Sequence, residues 1–312
     1  MSAIDVSDLR YTYDGRKYAV DGITFSVKEG EIFGMLGRNG AGKTTTMRIL
    51  TTLLKRTSGE VQVLGLDPSD AGNHLRRRIG VVLQDESFDF TTVENALDVY
   101  GFIWGVSKSV RKEKIEKLLE TFELVDIRKK RMWDLSGGQK RRVQVAREFM
   151  HDMDLLFLDE PTAGLDPIAR RTILNMVKDM TKEGLSVLFT THNLEEADYL
   201  CERIAIMNSG KIVACDTVSH LKNSYAGLKT IEVSVSGQPD QTGRLFSTIR
   251  SGNVEAPSEP NSPYRIVTSN TQETMQEIVS SAISLGLVIN WLNVRSVSLE
   301  DVFINTLTGD AA

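Results

Sequence analysis

At 312 residues the chain is long for one domain, and length alone suggests about two. Its 41% hydrophobic and 25% charged residues suit a globular protein with a sizeable core, while a formal net charge of -5 argues against a nucleic-acid binder. Cys201 and Cys215 are its two cysteines, which excludes a disulfide framework and a cysteine metal cluster.

Over residues 1–221, short β-rich runs alternate with helical stretches. The start shows no charged-then-apolar leader, so a cytoplasmic chain is expected. In chain order the pattern predicts strands at 23–27 and 31–36, a helix at 44–54, and strands at 61–64 and 79–83. Helices follow at 108–122 and 139–150, a strand at 155–158 and a helix at 168–182. A strand at 186–190, a helix at 194–201 and a strand at 204–208 complete this part. Several strands are near-continuous apolar runs, as in a mostly parallel sheet covered on both faces. The basic runs LRRRI (75–79) and RKKR (128–131) read as solvated faces, the second with a weaker alternative of lying near a membrane partner.

Composition shifts after residue 221. LKNSYAGLK reads as a linker, and residues 222–312 as a small α/β domain. The predicted order there is strand 230–235, helix 241–249, a Pro-rich loop at 257–263, strand 264–268, helix 271–285, strand 288–294 and helix 299–307. The uncharged run 278–294, IVSSAISLGLVINWLNV, comes nearest to a membrane span. It is short and interrupted by Ser, Asn and Gly, and reads better as a helix ending at Gly286 followed by a buried strand. Any membrane span would then belong to another polypeptide.

GRNGAGKTT, from Gly37 to Thr45, has the spacing of a phosphate loop and lies between a predicted strand and helix. Gly37, Arg38, Asn39, Gly40, Ala41, Gly42 and Thr45 would wrap phosphate oxygens with backbone N–H groups. Lys43 would lie between the β- and γ-phosphates, and the Thr44 hydroxyl would bind Mg²⁺. The following helix would bury Met47, Leu50, Leu53 and Leu54. DLLFLDE supplies the acidic partners at the C-terminal end of a buried strand: Asp159 for Mg²⁺ and Glu160 for the attacking water. A guanine-reading N-K-x-D, which a G-protein-type GTPase would carry, is missing from the sequence.

DLSGGQKRR (134–142) looks like a second anion site. Ser136 and Gln139 form a capping box, and Lys140, Arg141 and Arg142 are expected on the wet side of the helix that follows. Gly137 and Gly138 at its first positions cost stability, which makes sense if a ligand must approach the exposed N–H groups.

These motifs together resemble the nucleotide-binding subunit of an ABC transporter. GRNGAGKTT looks like its Walker A loop, LLFLDE its Walker B strand and LSGGQ its signature, in the family's order and at similar spacing. The resemblance covers about residues 4–221. It implies an α/β P-loop NTPase cassette with a mostly parallel core sheet, an antiparallel β subdomain and a helical signature subdomain. It makes Gln84 the Q-loop glutamine at the metal, Gly164-Leu165-Asp166 the D-loop, His192 the switch histidine at the γ-phosphate, and Tyr13 the aromatic that stacks on adenine. It also implies that Ser136, Gly138 and Gln139 contact ATP held by Lys43 of a second copy, in a homodimer or with a close relative. By itself His192 reads as a core histidine, and Tyr13 as core packing beside Tyr11 and Tyr18.

SVSLEDVFINTLTG resembles the end of drug-resistance-type ATPases of the daunorubicin-exporter class; alternatively it is a closing helix with Leu299, Val302, Phe303 and Leu307 as its apolar stripe. Such ATPases work with separate ABC-2-type permeases, which implies a peripheral protein at the cytoplasmic face of the membrane, exporting a drug, lipid or similar compound. Force would reach the permease through the surface around residues 84–92. Two other classes stand beside this one: a soluble ABC ATPase acting on ribosomes or DNA, and a regulatory ATP-binding module. The absence of a second cassette and of long coiled coils speaks against the former; co-purification with a six-span partner separates both from transport.

Overall fold

The computed structural model describes residues 2–84, 91–223, 228–237, 239–255, 262–296 and 298–308. They form two compact units, Met1–Val218 and Ser219–Ala312.

The first unit opens with strands β1 (Ser2–Thr12), β2 (Tyr18–Lys28) and β3 (Ile32–Leu36), then α1 (Lys43–Leu50), β4 (Ser58–Val63), α2 (Gly72–Arg76) and β5 (Ile79–Val82). Helices α3 (Val93–Ile103), α4 (Lys108–Thr121) and α5 (Gly137–Glu148) follow. Next come β6 (Leu155–Asp159), α6 (Pro167–Thr181), β7 (Ser186–Thr191), α7 (Leu194–Leu200), β8 (Arg203–Asn208) and β9 (Lys211–Thr217), and α8 (Val218–Asn223) runs across the boundary into the second unit. A 3-stranded antiparallel sheet has the order β2-β1-β4. The main sheet is 6-stranded, β5-β6-β7-β3-β8-β9, parallel except where β9 pairs antiparallel with β8. Every residue of β3, β6 and β7 is buried, so their apolar runs IFGML, LLFL and VLF are covered on both faces. One core joins Ile4, Leu9 and Val61 of the antiparallel layer to Phe33, Phe157 and Leu188 of the main sheet, with Met47 and Leu50 of α1.

Helix α1 is shorter than its apolar stripe predicts. Thr51 caps it and Thr52 turns left-handed at φ 68°, so the N–H groups of Leu53 and Leu54 both fold back onto the Arg48 carbonyl. Met47 and Leu50 are buried as expected, whereas Leu53 points to solvent. The strands β1 and β9 and the helices α2 and α3 carry weak sequence signals. In β1, Asp5, Asp8 and Arg10 interrupt the apolar positions Ile4, Val6 and Leu9. Of the RKKR run, Arg128 bonds Glu94 and Glu116 at 2.6 and 2.8 Å, which makes it a tie between α3 and α4 rather than a solvated charge.

The second unit comprises β10 (Lys229–Ser236), α9 (Pro239–Ser247), β11 (Asn253–Glu255), β12 (Tyr264–Thr268), α10 (Thr271–Ser284), β13 (Val288–Ser296) and α11 (Leu299–Thr308). Its 4-stranded antiparallel sheet runs β11-β12-β10-β13, the split β-α-β-β-α-β arrangement. Ile231, Val233 and Ile266 of the sheet pack with Leu245, Phe246, Ile278 and Ala282. The expected linker begins inside α8, whose last residues are Leu221–Asn223, while residues 224–227 lie outside the described residues, as does most of the Pro-rich stretch. Strand β13 is not the buried strand expected. It pairs only with β10, at the sheet edge, and leaves Val288, Trp291 and Val294 exposed. Among the described residues no helix is long and apolar enough to cross a membrane.

The tail motif has a local logic. Ser298 and Asp301 cap α11 reciprocally: the Asp301 N–H donates to Ser298 Oγ at 3.3 Å, and the Ser298 N–H donates to Asp301 Oδ2 at 2.6 Å. Arg295 donates to the same carboxylate at 2.8 Å, and Arg265 pairs with Glu300 at 2.8 Å. Leu299, Asp301 and Val302 are buried; the side chain of Leu307 lies outside the described residues.

Candidate active site

Strands β3, β6 and β7 end at one edge of the main sheet, in the order β6-β7-β3. That edge is where open α/β sheets bind ligands. Between β3 and α1 the chain turns sharply: Gly42 has φ 107°, and a Cβ there would stand 2.6 Å from the Ala19 carbonyl oxygen. Gly42 is the N-cap of α1 and supplies no side-chain cap, so the first N–H groups of the helix remain available to an anion. Lys43 is buried; its Nζ donates to Gly37 O at 2.6 Å and lies 3.3 Å from Glu160 Oε1.

Asp159, fully buried, ends β6 in register with Thr190 of β7. Its Oδ1 accepts from Thr190 Oγ1 at 2.6 Å and from Thr44 Oγ1 at 3.3 Å, while Oδ2 is buried and has no protein partner. An unpartnered carboxylate oxygen beside a threonine hydroxyl fits a hard divalent cation that takes its remaining ligands from phosphate and water. Mg²⁺ at Asp159 and Thr44 satisfies that chemistry. Accordingly, the described residues hold no group of three His, Cys, Asp or Glu side chains able to bind a metal unaided.

Glu160 has a left-handed backbone, φ 47°, unusual for a non-glycine residue. Its N–H donates to the carbonyl and to the hydroxyl of Thr190, each at 3.1 Å. Held so, its carboxylate reaches Lys43 with Oε1 and His192 Nδ1 with Oε2, the latter at 3.1 Å. Tyr13 stands at the rim, its ring exposed and edge-on to Tyr11, with its hydroxyl 3.2 Å from Thr45 Oγ1. A cavity of about 350 Å³ is lined by Tyr13, Ala19, Asn39, Gly40, Ala41, Gly42, Lys43, Thr44, Thr45, Gln84 and Glu160. The remainder of the surface around residues 84–92 lies mostly outside the described residues.

Ser136, Gly138 and Gln139 are not brought to this cavity. They start α5 through a capping box in which both reciprocal bonds form, at 3.1 and 3.3 Å. The two glycines that follow Ser136 differ. A Cβ at Gly138 would meet the Ala169 Cβ at 2.9 Å, so close packing of α5 on α6 accounts for it; at Gly137 only Leu165 Cδ2, at 3.8 Å, comes near. Packing thus gives Gly138 a reason to be glycine within its own chain, besides the expected contact with a ligand, whereas Gly137 has no such reason. Asp166 caps α6, accepting from the N–H groups of Ile168 and Ala169 at 3.0 Å.

Arg141 overturns its expected place on the wet side of α5. It is buried, and its guanidinium donates to the carbonyl oxygens of Leu83, Asp159, Glu160 and Pro161. The sequence also hid Glu196, a buried carboxylate that accepts from Thr162 at 2.8 Å and from Thr191 at 2.7 Å and pairs with Arg170. A run of three basic residues does not say which one turns inward. In LEEAD the helical period places Glu196 on the side of Ala197 and Leu200, the faint signal available.

The profile of the ABC transporter family matches residues 20–163. The linearmycin resistance ATP-binding protein LnrL of Bacillus subtilis (strain 168) is 32% identical over 296 residues, 95% of each chain. The chain belongs to the ATP-binding subunits of ABC transporters. The daunorubicin/doxorubicin resistance ATP-binding protein DrrA of Streptomyces peucetius is 34% identical over 99% of this chain and 93% of its own. Nod factor export ATP-binding protein I of Rhizobium sp. (strain N33) is 38% identical over 98% and 97%. Among solved structures, the ATP-binding subunit of an ABC transporter superposes with TM-score 0.65 and 26% identity, covering 72% of this chain and 93% of its own. A dimeric cassette in a post-hydrolysis state, bound to ADP and Pi, gives TM-score 0.63 and 25% identity over 69% and 98%. This ABC subunit is therefore an ATPase that uses ATP with Mg²⁺ and powers an exporter. Subunits of this kind dimerise and pair with transmembrane permeases.

Proposed function

We propose that two copies of the chain close head-to-tail on ATP and so drive an ABC-2-type permease that exports a drug, lipid or similar hydrophobic compound. In this reading the phosphates lie on Gly37–Thr45, with Lys43 between β and γ, and Tyr13 stacks on adenine. Mg²⁺, held by Asp159 and Thr44 with Gln84 nearby, would supply charge neutralisation on the phosphates. Glu160 orients the attacking water, and His192 steadies that carboxylate from its other side. Ser136, Gly138 and Gln139 of the second copy complete the site, with Asp166 beside them. The observation that carries the reading is the separation of Ser136 from the cavity that its own Lys43 lines, together with a Gly137 that nothing in its own chain requires. The names of the resistance and export relatives support the substrate class, and their ATP-binding character supports a peripheral protein on the cytoplasmic face of the membrane.

Mixed dimers test the arrangement. A Glu160→Gln copy paired with a Ser136→Arg copy keeps one complete site, so the mixture hydrolyses ATP although neither homodimer does. With both substitutions on one chain and a wild-type partner, no complete site remains and hydrolysis stays at background. Equal rates from the two arrangements would overturn the head-to-tail site. Co-purification of a hydrophobic six-span partner tests the permease.

A further inference from the structure

We propose that Arg141 is a positioning residue that ties the Ser136 end of α5 to the catalytic carboxylate of the same chain, so that the two half-sites on one subunit move together. The inference rests on the head-to-tail reading above.

All three guanidinium nitrogens are engaged. Nε donates to Pro161 O at 2.8 Å, Nη2 to Asp159 O at 3.0 Å and Glu160 O at 3.2 Å, and Nη1 to Leu83 O at 2.7 Å and Gln144 Oε1 at 3.0 Å. Hydrogen bonds from a cation are stronger than neutral ones, and the planar fork fixes direction as well as distance. Three of the acceptors are consecutive carbonyls that include Glu160, whose left-handed backbone persists only where its surroundings over-determine it. Thr190 holds the Glu160 N–H, and Arg141 holds its C=O. The fourth carbonyl precedes Gln84. Arg141 itself lies about one turn along α5 from the Ser136 cap. A shift of that cap on engaging the partner's nucleotide is thus delivered to the backbone of Asp159 and Glu160 and to the approach to Gln84.

This placement differs from simple packing in what it demands of the side chain. A lysine keeps the charge and much of the stem but has one donor point, and it cannot span Leu83 and Pro161 together. Glutamine removes the charge as well.

The test uses full-length chains. Arg141→Gln and Arg141→Lys homodimers are expected to bind ATP within about twofold of wild type, which also reports that they fold, and to lose at least about tenfold in kcat, because a small misplacement of a catalytic group is costly. Arg141→Gln copies are then mixed with Ser136→Arg copies and, separately, with Glu160→Gln copies. Neither mixture should rise above background, since Arg141 serves both half-sites of its chain. Activity restored by the Ser136→Arg partner would mean that Arg141 supports only its own carboxylates, and activity restored by the Glu160→Gln partner would confine it to the cap. Either result overturns the proposal, as does wild-type kcat in Arg141→Lys. The Glu160→Gln with Ser136→Arg mixture is the control: background activity there overturns the head-to-tail reading itself, and this coupling with it.

Discussion

Lys43 Nζ and Glu160 Oε1 stand 3.3 Å apart, both side chains nearly closed off from solvent. The cation that should receive a γ-phosphate is thus already in contact with the carboxylate assigned to the attacking water. Phosphate and carboxylate compete for one ammonium group, and two anions at this distance in a buried site repel. Removing the charge but keeping the shape should therefore separate binding from hydrolysis. Glu160→Gln is expected to bind ATP more tightly than wild type while its turnover falls by at least about a hundredfold. Equilibrium nucleotide binding and phosphate release measure the two; weaker ATP binding in this variant would contradict the competition.

The glycines after Ser136 make a paired prediction. Gly137→Ala makes only an ordinary contact with Leu165 Cδ2, at 3.8 Å, so the fold should be as stable as wild type or gain up to about 0.5 kcal/mol from better helix propensity. Its ATP-driven dimerisation should nevertheless fall, because a methyl group stands where the partner's phosphate is expected. Gly138→Ala forces a Cβ against Ala169 and should cost about 1–3 kcal/mol before any nucleotide is added. Thermal unfolding of the free subunit, followed by size-exclusion chromatography with ATP, distinguishes them. Equal destabilisation by both would remove the basis for treating Gly137 as ligand-facing.

Glu196 holds the loop after Glu160 to the end of β7, through Thr162 and Thr191, with Arg170 closing the cluster. Glu196→Ala leaves the two buried hydroxyls of Thr162 and Thr191 without this acceptor and unpairs the partly exposed Arg170, and should destabilise the first unit by about 2–4 kcal/mol. Because Thr191 precedes His192, kcat should drop more than ATP affinity. Urea unfolding and steady-state hydrolysis check both, and an unchanged unfolding midpoint would show the cluster to be dispensable.

The site was legible in the sequence where function confines residues to short local spacing. The phosphate loop and the acidic pair each occupy one turn at a strand end, and strands buried on both faces read as apolar runs. What escaped depends on contacts far apart in sequence. Arg141 looks like any basic residue of a surface helix until Leu83 and Pro161 fold around it. The reason for Gly138 lies on α6, 31 residues on at Ala169. Leu53 followed the helical period but fell beyond the left-handed turn at Thr52, whose threonine gives no warning of a stop. In β13 the apolar content suggested burial, yet the strand lies at the sheet edge and leaves Val288, Trp291 and Val294 exposed among its polar neighbours, which local sequence does not foretell.

Asp301 gives the second unit a pH dependence of definite sign. Burial by itself would raise its carboxyl, but the bonds from Arg295 and Ser298 outweigh burial and hold it below the ordinary carboxylate value. A group with a lowered folded pKa stabilises above its unfolded pKa, about 3.9, and that contribution is lost as pH falls through the folded value. Asp301→Asn should therefore weaken the second unit by about 2 kcal/mol at pH 7, since Arg295 loses one of its two anionic partners, keeping Glu232 while remaining partly in water. The gap to wild type should begin to narrow below about pH 4 and close in stronger acid. Trp291, exposed on β13, reports this unit by fluorescence once Trp104 and Trp133 are replaced by Phe. A gap of constant size from pH 7 down to about pH 2 would mean that the Asp301 carboxylate does not hold α11 in place.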